Sequence, residues 1–148
     1  MSRRAPTPVR FEPSVAERLA AFVAARPGLS QSSAANRLVD EGLRMVEFPG
    51  VGFRDGASGR RAFIVGGPDV REVVRAVRAA RTHEPQLEPD DLVALVARNA
   101  GLTERVVRLA VSYWSAYPAD VDAEIEVVDA AEQAAVAAWQ RERGLLAG

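Results

Sequence analysis

Apolar side chains recur at helical spacing over most of this chain and alternate with polar ones only briefly. Val15, Leu19, Phe22 and Val23 form one helical stripe. Ser14 and Glu17 ahead of it have the spacing of a capping box, and Pro27-Gly28 ends the run. Ser30 then caps a second helix, with Ala34, Leu38, Leu43 and Val46 on its apolar face as far as about Phe48. Before the first helix, Val9-Arg10-Phe11 alternates as a very short strand would, after a polar, Pro-interrupted arm at 1–8. Residues 49–68 are rich in glycine. There Phe53-Arg54 and Ala62-Phe63-Ile64-Val65 flank Asp55-Gly56-Ala57-Ser58-Gly59, which predicts a β-hairpin with a five-residue loop.

Helical spacing returns with Val70, Val73, Val74 and Val77, capped by Asp69 and Glu72 and fading near His83 before Pro85. A fourth helix is predicted from Glu88-Pro89 to about Asn99. Ala100-Gly101-Leu102 connects it to a fifth, capped by Thr103 and running to about Tyr117, where Pro118 breaks it. A last, Ala-rich helix with many acidic residues spans about Asp120 to Arg143. The expected fold class is mainly α, with a short intermolecular β-ribbon, then a β-hairpin and a helical, helix-turn-helix-like domain. The change of character at Pro49-Gly50 divides the chain into domains at 1–48 and 49–148.

The 148 residues are 48% hydrophobic and 26% charged, enough to bury a core. Cysteine is absent, which excludes disulfides and thiolate metal sites and fits a reducing cytoplasm. No apolar run approaches the ~20 residues of a membrane span, and no signal-like apolar stretch follows Arg3 and Arg4. Net charge is −1, but its distribution is uneven. Residues 1–61 hold ten Arg against six Asp and Glu, a net +4; residues 62–148 hold nine against fourteen, a net −5. A basic front and an acidic rear point to two different partners. Every strongly basic residue is Arg, which fits codon bias in a GC-rich genome. Arg also grips guanine or phosphate bidentately.

An isolated strand leaves its backbone N–H and C=O groups unpaired. Pairing Val9–Phe11 antiparallel with a second copy gives a two-stranded ribbon on four helices, with Val9 and Phe11 facing the shared core and Pro8 and Arg10 facing out. Such a ribbon fits the DNA major groove. Val9-Arg10-Phe11, Ser14-Val15-Ala16-Glu17-Arg18-Leu19 and Gly28-Leu29-Ser30-Gln31-Ser32 resemble, in this order, the ribbon-helix-helix family of bacterial repressors and antitoxins. The resemblance implies a homodimer on double-stranded operator DNA. In it Arg10 reads bases, and the backbone amides near Ser30, Gln31 and Ser32 hold a phosphate. Pro6 and Pro8 depart from the usual polar ribbon and shorten it, so readout leans on Arg10 and on the Arg3/Arg4 arm. The alternative is a plain dimerisation hairpin, with Arg10 solvated and the arm without a role.

In the second half, Ala97, Gly101, Leu102, Val107 and Ala110 have helix-turn-helix spacing. The second helix of that pair would present Thr103, Glu104, Arg105, Arg108 and Ser112. The other reading is a plain helical hairpin in an interaction domain, and the acidic balance of this half favours it. Pro49 to Gly56, Gly66 to Val70 and Val106 to Trp114, with Tyr117-Pro118 and Val121-Asp122, resemble a bacterial domain of VapB-type antitoxins. That resemblance implies an antitoxin whose partner toxin is a PIN-like ribonuclease. The acidic residues Asp120, Asp122, Glu124, Glu126, Asp129 and Glu132 would then face a basic cleft on the toxin. The alternative is a solvated helix packing through Val127, Val128 and Trp139.

Catalysis is not expected. His83 is the sole histidine, at a helix end beside Thr82 and Glu84, and the pairs Asp90-Asp91 and Asp120/Asp122 suit helix N-termini. No glycine run has a phosphate-loop pattern, and no cofactor or metal site is expected. The expected function is a sequence-specific DNA-binding transcriptional repressor, the antitoxin of a type II toxin–antitoxin pair, in the bacterial cytoplasm at the nucleoid. A stand-alone transcription factor without a toxin and a structural dimerisation protein are the alternatives.

Overall fold

A computed structural model describes residues 4–148 of the chain. Arg3 lies outside the described residues. The chain forms α1 (Pro13–Ala24), α2 (Gln31–Glu47), β1 (Val51–Gly56), β2 (Gly59–Ile64), α3 (Val70–His83), α4 (Pro89–Ala100), α5 (Glu104–Ala116) and α6 (Pro118–Ala147). It divides into two compact units, one up to Leu43 and one from Arg44. The boundary falls five residues before the change in composition. The last turn of α2 belongs with the second unit because Arg44 bonds Tyr113 and Phe48 packs edge-on against the same ring. Among the described residues, no helix is long and apolar enough to cross a membrane.

In the first unit, α1 starts two residues earlier than the capping box predicts, with Glu12 rather than Ser14 at the N-cap. Pro13 takes the first helical position, where its fixed φ suits the helix and its missing N–H costs nothing. Ser14 is therefore inside the helix and caps nothing; the Glu12 carbonyl accepts from Val15 and Ala16 instead. α2 starts as predicted, with Ser30 Oγ accepting the Ser33 amide at 3.1 Å. Only Leu19, Ala34 and Glu41 of these helices are buried. Of the expected apolar face of α2, Leu43 and Val46 stand exposed. Residues 4–12, including the expected strand Val9–Phe11, carry no secondary structure.

The second unit has a layer of helices against the β1–β2 hairpin. Its core gathers Val51, Ile64, Val70, Val73, Val96 and Val107 around the nearly inaccessible ring of Tyr113. The hairpin is tighter than predicted: Gly56 pairs with Gly59, so the loop is Ala57-Ser58 alone. Gly59 takes the positive φ, 101°, while Ala57 and Ser58 keep negative ones. β1 also begins earlier, at Val51, whose amide bonds the Phe48 carbonyl. α4 ends on Gly101 in the left-handed conformation, φ 66°, and Thr103 Oγ1 caps α5 by accepting from the Val106 amide. Pro118 does not separate the last helix from the fifth by a loop. It occupies the first turn of α6, with only Tyr117 between the two helices.

Candidate nucleic-acid interface

The N-terminal unit carries the residues expected to contact DNA from Arg4 onward. Arg4, Pro8 and Arg10 are exposed on the extended segment, and Val9 is 68% exposed. Arg10 enters no ion pair among the described residues. Behind this segment, an open hollow of about 370 Å³ is walled by Phe11, Val15, Leu19, Phe22, Leu38 and Val39. Few side chains of this unit are buried, so much of its apolar surface stays in contact with water.

At the start of α2, Gln31 and Ser32 are exposed, and the first turn carries no carboxylate. Ser30 Oγ satisfies the Ser33 amide, and the Ser30 carbonyl takes the Ala34 amide. The amides of Gln31 and Ser32 have no partner within the helix, as at every helix start. They and the dipole of α2 favour an anion there. α3, α4, α5 and α6 each carry an acidic residue in the first turn.

The helix-turn-helix-like pair α4–α5 packs as its spacing predicts, with Ala97, Val107 and Ala110 buried where the helices meet. Thr103, Arg105 and Arg108 are exposed on it. The cations there have local competition. Arg108 Nη2 donates to Asp90 at 2.8 Å, and that hydrogen bond and charge hold the guanidinium above its ordinary pKa. Asp91 and Glu104 are exposed on the same helices. Carboxylates thus interleave with the arginines, which is a poor footing for a polyanion.

The acidic residues of α6 are mostly engaged by the fold's own arginines. Asp120 accepts from Arg44 at 2.7 Å and Asp122 from Arg78 at 2.6 Å. The Trp114 indole N–H and then Arg78 hold the Asp122 carboxyl below its ordinary range. Asp129 and Glu132 both pair with Arg75. Of the residues expected to pack the helix, Val127 and Trp139 are more than half exposed. His83 lies exposed, with Nδ1 at 2.8 Å from the Ala79 carbonyl, and no nucleophile among the described residues is hydrogen-bonded to it.

One constellation is not evident in the sequence. Arg54 and Arg61 sit directly opposite each other in the hairpin, a repulsive cross-strand pair. Asp69, expected to cap α3, turns its side chain to them instead, with Oδ1 at 2.6 Å from Arg54 and Oδ2 at 2.5 Å from Arg61. Arg71, also buried, donates to Ser58 Oγ at 2.8 Å and lies 3.5 Å from Asp69. Burial pushes the neighbouring Glu124 carboxyl up to about 7, against the pull of the Arg71 charge and of a bond to the Ala62 main chain. Its signal is the arginine at each of positions 54 and 61, which becomes legible only once the hairpin register is known. No known protein family, characterised protein or solved structure matches this chain.

Proposed function

We propose that this chain is a dimeric, DNA-binding transcriptional regulator that grips DNA through its N-terminal unit and a protein partner through the unit that starts at Arg44. The observation that carries the reading is the unpaired segment bearing Arg10, set before two helices whose apolar side chains line an open hollow. A second copy supplies both missing pieces: the antiparallel strand for residues 9–11 and the apolar cover for the hollow. Two-fold symmetry then presents Arg10 twice to a major groove, and the α2 N-termini, with Ser30, Gln31 and Ser32, flank it against phosphates. The exposed cation on the segment, and the lack of carboxylates in the first turn of α2, support that orientation. A PIN-like toxin is the partner that the antitoxin resemblance proposes for the second unit. Because four of the α6 carboxylates are already paired internally, that interface would be mainly apolar.

Sedimentation equilibrium and fluorescence anisotropy test this directly. The protein should be at least dimeric at micromolar concentration. Its affinity for a duplex should fall with salt, with a log–log slope of about −0.9 per phosphate neutralised. Arg10→Ala should lower specific affinity by roughly 1–3 kcal/mol for each base that Arg10 reads. Val39→Glu, which puts a charge on the rim of the hollow, should abolish N-terminal pairing and DNA binding together. Salt-independent binding, or DNA affinity unchanged in both variants, would overturn the proposal.

A further inference from the structure

α6 is 30 residues long, about 45 Å, but only its first half is held by the fold. Val121 and Ile125 are buried, and Asp129 and Glu132 are clamped by Arg75. Ile125, Asp129 and Glu132 share one face of the helix at alternating steps of four and three. Continuing those steps gives Val136, Trp139, Arg143 and Leu146, on the same face but beyond the body of the fold. There the side chains stand more than half exposed: Val136 and Trp139 are each 54% exposed and Leu146 is 78% exposed. A tryptophan left in water on an otherwise unsupported helical extension is unusual, because helical stability in proteins comes mainly from packing.

We infer that the last four turns of α6, from Glu132 onward, pair antiparallel with the same segment of a second copy of this chain. The pattern of charge selects that occupant. In an antiparallel pair whose two-fold axis passes between residues 137 and 138, Glu132 lies level with Arg143 of the other copy, and Val136 lies level with the other copy's Trp139. Each pairing occurs twice. A parallel pair would instead set Glu132 against Glu132 and Arg143 against Arg143. The Glu132 side chain remains 58% exposed while it holds Arg75, so its second oxygen is open to a further guanidinium. Arg143 lies over the Trp139 ring at 4.8 Å and reaches solvent at its edge. The segment from Glu132 to Arg143 is about 16 Å long and its charges are Glu132 at one end and Arg141, Glu142 and Arg143 at the other, so one end is acidic, the other net basic, and the segment is self-complementary when reversed. This pairing is independent of the N-terminal one and would link such dimers to one another or close within one.

Charge exchange tests it in the full chain carrying Val39→Glu, which removes N-terminal pairing so that its failure is not confused with failure of this one. That parent should still dimerise. Adding Glu132→Arg or Arg143→Glu should weaken self-association at least about tenfold each, because each sets like charges against one another twice. Mixing the two variants in equal amounts should restore the dimer. Because the chain lacks cysteine, cross-linking gives a second measure in the wild-type background. The double variant E132C/R143C should oxidise rapidly to a covalent dimer, and neither single variant should. A double variant that does not cross-link, single variants that cross-link as fast as the double, or a mixture no tighter than its components would overturn the inference.

Discussion

Replacing Glu124 with Gln should stabilise the protein at pH 8 and leave it nearly unchanged at pH 4.5. Glu124 projects from α6 beside the hairpin, and its Oε2 is buried without a hydrogen-bond partner among the described residues. Burial raises its carboxyl from 4.5 to about 7, while the Arg71 charge and the Ala62 main chain pull the other way and lose. Between those two values the folded protein binds a proton that the unfolded chain has released. Stability from this group is therefore complete below about pH 4.5 and is lost as pH rises through about 7. An undiluted shift of that size corresponds to about 3 kcal/mol. Solvent reaches part of the carboxyl and screens it, leaving about 1–2 kcal/mol. Gln keeps the shape and can still accept from the Ala62 main chain, but it carries no charge to desolvate. Urea unfolding followed by circular dichroism at pH 4.5, 6 and 8 would report it. With a slope of about 2 kcal/mol per molar urea, the variant's midpoint should exceed the wild type's by about 0.5–1 M at pH 8. A difference between variant and wild type that does not change with pH would refute the reasoning, as would a less stable variant at pH 8, which would mean that Arg71 needs the carboxylate.

Asp69→Asn should cost roughly 3 kcal/mol by the same measurement, because it leaves Arg54, Arg61 and Arg71 facing one another without a counter-charge. Ser30→Ala should cost about 1 kcal/mol through loss of the hydrogen bond from the Ser33 amide, and Ser30→Gly only a few tenths, read from thermal melting of the full chain. Gly101→Ala should cost about 1 kcal/mol although an added Cβ meets nothing within 4 Å, since the left-handed backbone rather than space is limiting; an unchanged melting temperature would contradict it.

The parts of this fold legible in the sequence are those decided locally. Ser30, Thr103 and Gly101 act within one helical turn of themselves, so their residue types alone locate the starts of α2 and α5 and the end of α4. Where two local signals compete, the pattern is ambiguous: Pro13 and Ser14 are both good helix starters, and the fixed φ of proline takes the first position. Longer-range choices are hidden. Asp69 has the sequence context of a cap, but the arginines brought beside it by hairpin pairing offer its carboxylate two charged donors. The acidic stripe of α6 reads as a surface for another molecule until Arg44, Arg75 and Arg78 are placed against it. For the proposed N-terminal interface the candidate residues can be named in advance, because an alternating triplet, a capped helix and a basic balance are all features of sequence. Whether a second strand meets Val9–Phe11 depends on another copy of the chain, which no intrachain pattern records.

The chain has only two tryptophans, and their surroundings are opposite. Trp114 is half-buried, with its indole N–H bonded to Asp122 at 2.9 Å and Arg78 over its ring, whereas Trp139 stands in water on α6. Their emission should separate into two components, a quenched or blue-shifted one that follows the integrity of the α3–α5–α6 packing and a red one that follows whatever covers the end of α6. Trp139→Phe would leave a protein whose fluorescence reports folding alone, and Trp114→Phe one whose fluorescence reports association alone. Unfolding and assembly could then be followed at the same wavelength in the same buffer without any attached dye.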